Sequence, residues 1–551
     1  MTSPDPALLT EALAWADADP DPATAAALRD LVARARSGDA AAAAELADCF
    51  AGRLAFGTAG LRAALGPGPN RMNRVVVQRA AAGLARWLVG HGHAGAGVLV
   101  GYDARHNSAV FAADTAEILA GHGLKATLTP THLPTPLVPF GVGRYGLAAG
   151  VVVTASHNPS ADNGYKVYVG QSQIVPPTDA EIAAEIAAVS ELPVADLPRS
   201  TDVATVGPDL VNAYVARAAA LVPDGAPREL RWVYTAMHGV GRAIVERVVA
   251  AAGFPAPAVV AEQADPDPDF PTVAFPNPEE PGAIDLALAL ARATDADVAV
   301  ANDPDADRCA IAAPIGGAWR MLTGDELGTL LAADALSEGR PGVYACSVVS
   351  STMLATMAAA HGRPFETTLT GFKWIGRVPG LAFGYEEAIG YCTDPASVPD
   401  KDGITALVRV LALVARLRAE GRTVADALDD LVRTYGLHHT AQMSFRVGDL
   451  TIIADAMRRL RARPPATLAG VPVTAEDLAD GWRGLPPTDA VLLAGGPVRV
   501  VVRPSGTEPK LKCYLQVTRS VAESADPDAA RAAASGIMAR VQADVRAALG
   551  L

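Results

Sequence analysis

Cysteine is scarce in this chain. Five in 551 residues, at positions 49, 309, 346, 392 and 513, fall at no paired or metal-finger spacing. That excludes a disulfide framework and a thiolate metal centre, and leaves the cysteines as buried apolar fillers. A basic excess is also missing. Lys and Arg number 46 against 60 Asp and Glu, a net charge of −14, which argues against a nucleic-acid partner. Any site for an anionic substrate must then be locally basic against the global field. No uninterrupted apolar run reaches about eighteen residues, so no membrane span is expected. Met1 to Pro6 lacks a basic segment leading into an apolar core, so no signal peptide is expected and the cytoplasm is the expected compartment.

What is present suits a well-packed, multidomain protein. Half of the residues are hydrophobic and 19% are charged, and 50 Gly with 42 Pro imply many short loops. The length exceeds one core and predicts about three to five domains. The first fifty residues read as helical, broken at Asp17-Ala18-Asp19-Pro20-Asp21-Pro22, where Pro ends one helix and Asp caps the next. Apolar strands and Ala/Leu-rich helical stretches then alternate in three successive units. Strands are expected at Val98 to Tyr102, Lys125 to Leu128 and Leu147 to Val153. A second set spans Arg231 to Thr235, Ala258 to Ala261 and Asp297 to Ala301, and a third Val343 to Val348, Pro364 to Leu369 and Ala382 to Tyr385. Such alternation predicts an α/β protein with mixed, largely parallel sheets covered on both faces. The last part differs: Val498 to Val502 and Leu511 to Val517 read as paired strands before a helix at Asp528 to Leu549. Linkers are expected near Leu197 to Pro208, Ala313 to Ala318 and His438 to Gln442, which divides the chain into 1–205, 206–316, 317–440 and 441–551.

Five motifs carry the chemistry, one of them a pair of loops. The apolar run Leu147 to Val153 ends in Thr154-Ala155-Ser156-His157-Asn158-Pro159, with Lys166 ten residues beyond the serine. A hydroxyl beside an imidazole and an ammonium can accept and donate an anionic group. Directly after Val298 to Ala301 comes Asn302-Asp303-Pro304-Asp305-Ala306-Asp307-Arg308. Carboxylates at alternate positions of a tight turn can converge on one hard cation, and an oxygen-only set suits Mg²⁺ and phosphate chemistry. Taken alone the same triplet would also fit a solvated acidic turn. Arg503-Pro504-Ser505-Gly506-Thr507-Glu508-Pro509 offers a guanidinium fork, two hydroxyls and an approachable backbone, the parts of a phosphate clamp. Thr370-Gly371-Phe372-Lys373-Trp374 and Gly384-Tyr385-Glu386-Glu387-Ala388-Ile389-Gly390 add a cation and two acids that can accept from sugar hydroxyls, although adjacent acids are more often a surface pair. Phe56-Gly57-Thr58-Ala59-Gly60-Leu61-Arg62 is a glycine-hinged loop ending in arginine; alone it reads as an ordinary turn. Arg105, after Gly101-Tyr102-Asp103-Ala104, could brace the serine loop, with a surface arginine as the plainer expectation.

In this order, the loops resemble the α-D-phosphohexomutase superfamily over nearly the whole chain. The likeness is greatest to the phosphoglucomutase-2-like branch that includes phosphopentomutases, which Trp15-Ala16-Asp17, Pro22-Ala23-Thr24 and Phe56 to Arg62 are similar to. The resemblance implies three similar mixed α/β domains and a smaller C-terminal α+β domain around a central cleft. It implies Ser156 as phosphoserine, with His157, Lys166, Arg62 and Lys373 as its catalytic neighbours. Mg²⁺ would be held by Ser156, Asp303, Asp305 and Asp307. Substrate would be held by Arg308, Glu386, Glu387, Arg503, Ser505, Gly506 and Thr507. A small-molecule sugar phosphate is the implied partner, glucose 1,6-bisphosphate the implied activator, and a monomer or dimer the implied assembly. The expected reaction interconverts glucose 1-phosphate and glucose 6-phosphate; phosphomannomutase, phosphopentomutase, a serine-dependent sugar phosphatase and a non-catalytic sugar-phosphate binder are the alternatives. Two departures bear on the sugar. Ala388 stands where many hexose-specific members carry serine, and Phe372-Lys373 follows the third-loop glycine where some carry histidine.

Overall fold

The computed structural model describes residues 5–506, 510–521 and 526–551. They form two compact units. One runs to Ala310 and includes Asp394–Arg409; the other comprises Ile311–Thr393 and Val410–Leu551.

The first unit opens with three helices, α1 (Pro6–Ala18), α2 (Pro22–Arg36) and α3 (Ala40–Cys49). Pro22 takes the first turn of α2 and the Asp21 carboxylate accepts from the Ala23 amide, so the expected break is a proline start with an aspartate cap. Leu28, Leu31, Val32 and Leu46 close a small core of their own.

There follow β1 (Leu61–Ala64), α4 (Arg74–Leu88), β2 (Gly97–Tyr102), α5 (Ser108–Gly121), β3 (Lys125–Leu128), α6 (Leu137–Tyr145), β4 (Ala149–Val153), β5 (Asp162–Val169), β6 (Ser172–Gln173), α7 (Thr178–Val189) and β7 (Ala204–Thr205). The sheet order is β1-β5-β4-β2-β3-β7, with β6 on β5. Strands β4, β2 and β3 run parallel, while β5 returns antiparallel to β4 and β1 antiparallel to β5. Every residue of β4 is buried, as a central strand covered by helices on both faces requires. A second parallel sheet follows: α8 (Asp209–Ala219) leads to β8 (Trp232–Thr235), α9 (Arg242–Ala251), β9 (Ala258–Val259), α10 (Asp285–Ala293) and β10 (Val298–Ala301), with β8 between β9 and β10.

The second unit begins with the hairpin β11 (Ala310–Ile315) and β12 (Ala318–Met321), then α11 (Gly324–Ser337), β13 (Val343–Ser347), α12 (Met353–Ala360), β14 (Phe365–Thr368), α13 (Phe372–Ile375), β15 (Leu381–Glu386) and β16 (Gly390–Cys392). Strands β14, β13 and β15 are parallel and β16 pairs antiparallel at the edge. Helices α14 (Gly403–Ala419) and α15 (Val424–Tyr435) precede the C-terminal sheet. That sheet is antiparallel, in the order β17-β23-β22-β21-β20. Its elements are β17 (Leu437–Arg446), α16 (Leu450–Ala462), the small pair β18 (Thr467–Leu468) and β19 (Val471–Pro472), β20 (Thr474–Asp477), β21 (Val491–Gly495), β22 (Val498–Pro504), β23 (Lys510–Arg519) and α17 (Pro527–Leu549).

Each expected strand lies within a residue or two of an observed one, apart from shorter ends at Leu147 and Ala261. Two linkers do not hold. Ala313 to Ala318 is the bend of the β11–β12 hairpin, and His438 to Gln442 lies inside β17, which antiparallel pairing with β23 along its whole length makes sheet. All five cysteines are buried and free. Among the described residues no helix is long and apolar enough to cross a membrane.

Candidate active site

Three of the motif loops leave the carboxyl ends of parallel strands β4, β10 and β15, where open α/β sheets bind ligands. Each loop holds one non-glycine residue in the left-handed region: Ser156 at φ 52°, Ala306 at 54° and Ile389 at 53°. Such backbone costs about 1–3 kcal/mol and persists only where its surroundings dictate it.

At the serine loop the surroundings are explicit. The Ser156 amide donates to Thr154 Oγ1 at 2.8 Å. Arg105 is no surface residue: its side chain is only 1% exposed. Its guanidinium donates to the carbonyls of Ser156 (2.6 Å), Asn158 (2.5 Å), Pro159 (2.7 Å) and Asp162 (3.2 Å). A planar fork with five donors can gather four carbonyls; an ammonium cannot. Asp103 lies 3.4 Å from Arg105 Nε and accepts from Ser108 Oγ at 2.6 Å, which orients the fork.

Sheet pairing then brings the cations in. Because β5 folds back on β4, Lys166 sits opposite Val152, and because β1 lies on β5, Arg62 sits opposite Gly164. Gly60, at φ 76°, is needed for this approach, since a Cβ there would stand 1.7 Å from the Tyr165 carbonyl oxygen. Arg62 donates to Asn158 Oδ1 at 3.1 Å.

The aspartate loop meets the same place. Asp303, Asp305 and Asp307 are 0%, 0% and 2% exposed, so the solvated-turn alternative fails. Their oxygens lie within 4.8 Å of one another. Ser156 Oγ donates to Asp303 Oδ2 at 2.9 Å and lies 3.2 Å from His157 Nδ1. Lys166 Nζ donates to Asp305 Oδ2 (2.7 Å) and Asp307 Oδ2 (2.8 Å). Arg308 Nε stands 3.8 Å from Asp303 and 3.9 Å from Asp307. Burial and the two neighbouring carboxylates push Asp303 up. Burial opposes ionisation of Asp305 as well, but Lys166 and the Thr135 hydroxyl hold it down. Burial alone would lower Lys166, yet its two carboxylate partners hold it above the usual lysine range, a fixed cation. Burial, then the charges of Arg308 and Arg62, drive His157 well below the usual imidazole range, so it is neutral.

The triad fits a hard divalent cation. Among the described residues Asp305 Oδ1 and Asp307 Oδ1 are buried without a hydrogen-bond partner, and an all-oxygen set is what Mg²⁺ takes. Two supporting residues escape sequence reasoning. Thr135 donates to Asp305 Oδ2 at 2.7 Å, and Lys401 Nζ lies 3.5 Å from Asp307 Oδ2. Neither stands near a motif in the chain; they lie in the Leu133-Pro134-Thr135-Pro136 and Asp400-Lys401-Asp402-Gly403 stretches.

The other expected residues belong to the second unit. Glu386 closes β15 and is 7% exposed, so the acids are not a surface pair. Glu387 Oε2 accepts from Ser347 Oγ at 3.1 Å and Ser350 Oγ at 3.0 Å. The β22–β23 hairpin carries the clamp loop: the Ser505 amide donates to the Lys510 carbonyl at 2.8 Å. Arg503 hydrogen-bonds the Tyr514 hydroxyl, which burial and the charges of Glu387 and Glu386 push up, so the clamp and the acids neighbour one another. Gly506 is exposed, and Thr507 lies outside the described residues. Lys373 is half-buried on α13, whose Phe372 packs into the core beside Ile375.

Four family models, domains I, II, III and the C-terminal domain of phosphoglucomutase/phosphomannomutase, match residues 53–192, 212–316, 323–435 and 461–534 in that order. The chain belongs to the phosphoglucomutase/phosphomannomutase family. It is 46% identical over 465 residues to a "Probable phosphomannomutase" of Haemophilus influenzae, covering 83% of this chain and 95% of that protein. It is 39% identical over 514 residues to a "Probable phosphoribomutase" of Schizosaccharomyces pombe, covering 84% and 86%. A crystal structure from Thermus thermophilus has the same fold at a TM-score of 0.70 and 24% identity, over 90% of this chain and 99% of that one. Members of this family are phosphosugar mutases, intramolecular phosphotransferases of the isomerase class, and this chain is one of them. Three α/β/α domains and a C-terminal domain with an antiparallel sheet are the family's architecture as well as this chain's.

Proposed function

We propose that the chain moves phosphate between the anomeric and terminal hydroxyls of an aldose phosphate through Ser156, with glucose 1-phosphate and glucose 6-phosphate as the expected pair. One observation carries the reading: the Ser156 hydroxyl, in a strained turn held by Arg105, touches both His157 and the aspartate triad.

In the charged form, Ser156 carries the phosphoryl group. The free hydroxyl of the bound monophosphate attacks phosphorus, the bond to Ser156 Oγ breaks, and a bisphosphorylated sugar results. After the sugar reorients, its other phosphate returns to Ser156 and the isomer leaves. His157 Nδ1, 3.2 Å from Oγ, is placed to give a proton to the serine oxygen as its bond to phosphorus breaks and to take it back when that bond re-forms, while the proton of the attacking sugar hydroxyl passes to water. Lys166, Arg62 and Arg308 are fixed cations around the transferring group, and Arg503 with Ser505, Gly506 and Thr507 grips the phosphate that does not react. Lys373 offers a further charge on the third loop. Ser156 Oγ, Asp303, Asp305 and Asp307 would hold Mg²⁺, which when bound offsets negative charge on the phosphoryl oxygens. Glucose 1,6-bisphosphate would load Ser156 at the start.

A second sugar reading has its own support. Ala388 removes a hydroxyl from the acid-pair loop, and relatives named phosphopentomutase or phosphoribomutase match most of the chain. Ribose or deoxyribose 1-phosphate would then be preferred. Kinetics with the 1-phosphates of glucose, mannose and ribose, side by side, decide between them. Transfer of labelled phosphate to Ser156 and back to sugar tests the chemistry itself. Release of inorganic phosphate without isomer would make the chain a phosphatase, and binding without exchange a sugar-phosphate binder.

A further inference from the structure

Glu387 is held in a way that a sugar ligand would not need. Ser347, at the end of β13, and Ser350, in the turn after it, are 2% and 3% exposed. The Ser350 amide donates to the Ser347 carbonyl at 3.0 Å, which closes the turn and points both hydroxyls the same way. Their Oγ atoms are 2.9 Å apart and stand 3.1 and 3.0 Å from Glu387 Oε2. The Glu387 amide also donates to Ser350 Oγ at 3.3 Å. Gly324, at the start of α11, abuts the same residue so closely that a Cβ would lie 1.9 Å from the Glu387 carbonyl oxygen.

The three oxygens form a triangle with three hydrogen-bonding edges. Two serine hydroxyls supply two protons, so an ionised Glu387 leaves one edge empty, with two lone pairs facing each other. One more proton fills it. The surroundings favour that proton. Asp325 on α11, itself accepting from the Ser351 amide (2.7 Å) and the Tyr385 hydroxyl (3.0 Å), adds a second buried carboxyl beside it. Burial first, then Asp325, raises Glu387, while Lys512 on β23 opposes them. Cys346 on β13, Tyr385 and Glu386 on β15, Arg499 and Arg503 on β22 and Tyr514 on β23 are the further titratable and charged groups around the loop.

We propose that Glu387 is a positioning residue, held with one shared proton by Ser347 and Ser350 at the base of the sugar loop. This rests on the reading of that loop as the sugar loop. An anchored Glu387 holds the turn through Ala388 to Ile389, and so the direction of the Glu386 side chain.

The test measures kcat and KM for glucose 1-phosphate and ribose 1-phosphate in S347A, S350A, E387A, E387Q, the S347A/S350A/E387A triple variant and E386Q, each checked for an unchanged thermal midpoint. S350A and E387A should each raise KM about tenfold, and the triple variant should be no worse than E387A, because the three act as one unit. E387Q, whose amide can supply the third proton, should recover much of the E387A loss. The infrared difference between wild type and E387Q should contain the carbonyl band of a protonated carboxylic acid. Gln as damaging as Ala, additive losses in the triple variant, or absence of that band would overturn the anchor. An E386Q variant with unchanged KM for both sugars would instead overturn the sugar-loop reading, whatever Glu387 does.

Discussion

Ser156 and Asp303 are joined by a 2.9 Å hydrogen bond across 147 residues of chain. The serine loop of one sheet thus rests on the acidic loop of the next. Replacing Ser156 with Ala should abolish isomerisation and labelling while leaving the thermal midpoint within a few degrees, since a buried hydroxyl–carboxyl bond contributes about 1–2 kcal/mol. Intact-mass measurement after incubation with glucose 1,6-bisphosphate should find one added phosphoryl group in wild type and none in S156A.

Mg²⁺ should raise the thermal midpoint of the wild type and not that of D305N. Three buried carboxylates share two unpaired oxygens, and a cation that binds only the folded chain stabilises it by about 2.7 kcal/mol at one hundred times its Kd. Scanning calorimetry with and without chelator reads this independently of turnover. Equal responses in the two proteins would place the cation elsewhere.

Thr135→Val should weaken Mg²⁺ binding about tenfold. The change keeps the side chain's shape but removes the hydroxyl that orients Asp305, and outer-shell partners of ligands have effects of that order. A titration followed by calorimetry gives the constant directly.

Arg105→Lys should cost roughly 2–4 kcal/mol of stability and lower kcat more than it raises KM. Lysine keeps the charge but cannot reach four carbonyls, so the left-handed turn at Ser156 loses its support. An unchanged kcat in R105K would show that the turn holds without the fork.

His438 should make the fold acid-sensitive. Burial lowers it to about 4, and it faces the Thr352 hydroxyl at 3.0 Å. The folded value lies below the unfolded one, near 6.5, so this stability is fully present above about pH 6.5 and is lost as pH falls toward 4. Roughly 2 kcal/mol is at stake once partial solvent contact is allowed for. The thermal midpoint of H438N should fall less between pH 7 and 4 than that of the wild type.

Much of this was readable along the chain. The apolar runs ending at Val153 and Ala301 announced central strands, and loops at their ends announced the site, because strand periodicity and the residues that follow a strand are local properties. Asp21 and Pro22 announced a helix start for the same reason. His438 to Gln442 misled: with two histidines and polar neighbours it lacked an apolar signature, and only ten residues of pairing with β23 make it a strand. Arg105 misled in the opposite direction, since a charged residue is buried only when distant carbonyls can satisfy it.

By itself, then, the order of residues determined which functional groups exist and which strand end each one follows. What only the tertiary structure decided is their state. Lys166 is a fixed cation because Asp305 and Asp307, 139 and 141 residues away, close on it; Glu387 is held because the end of β13 and the turn after it place two serines against it. Ionisation and burial depend on which charges and dipoles lie within a few ångströms, and those neighbours are chosen by how sheets pair, not by what stands next in the chain.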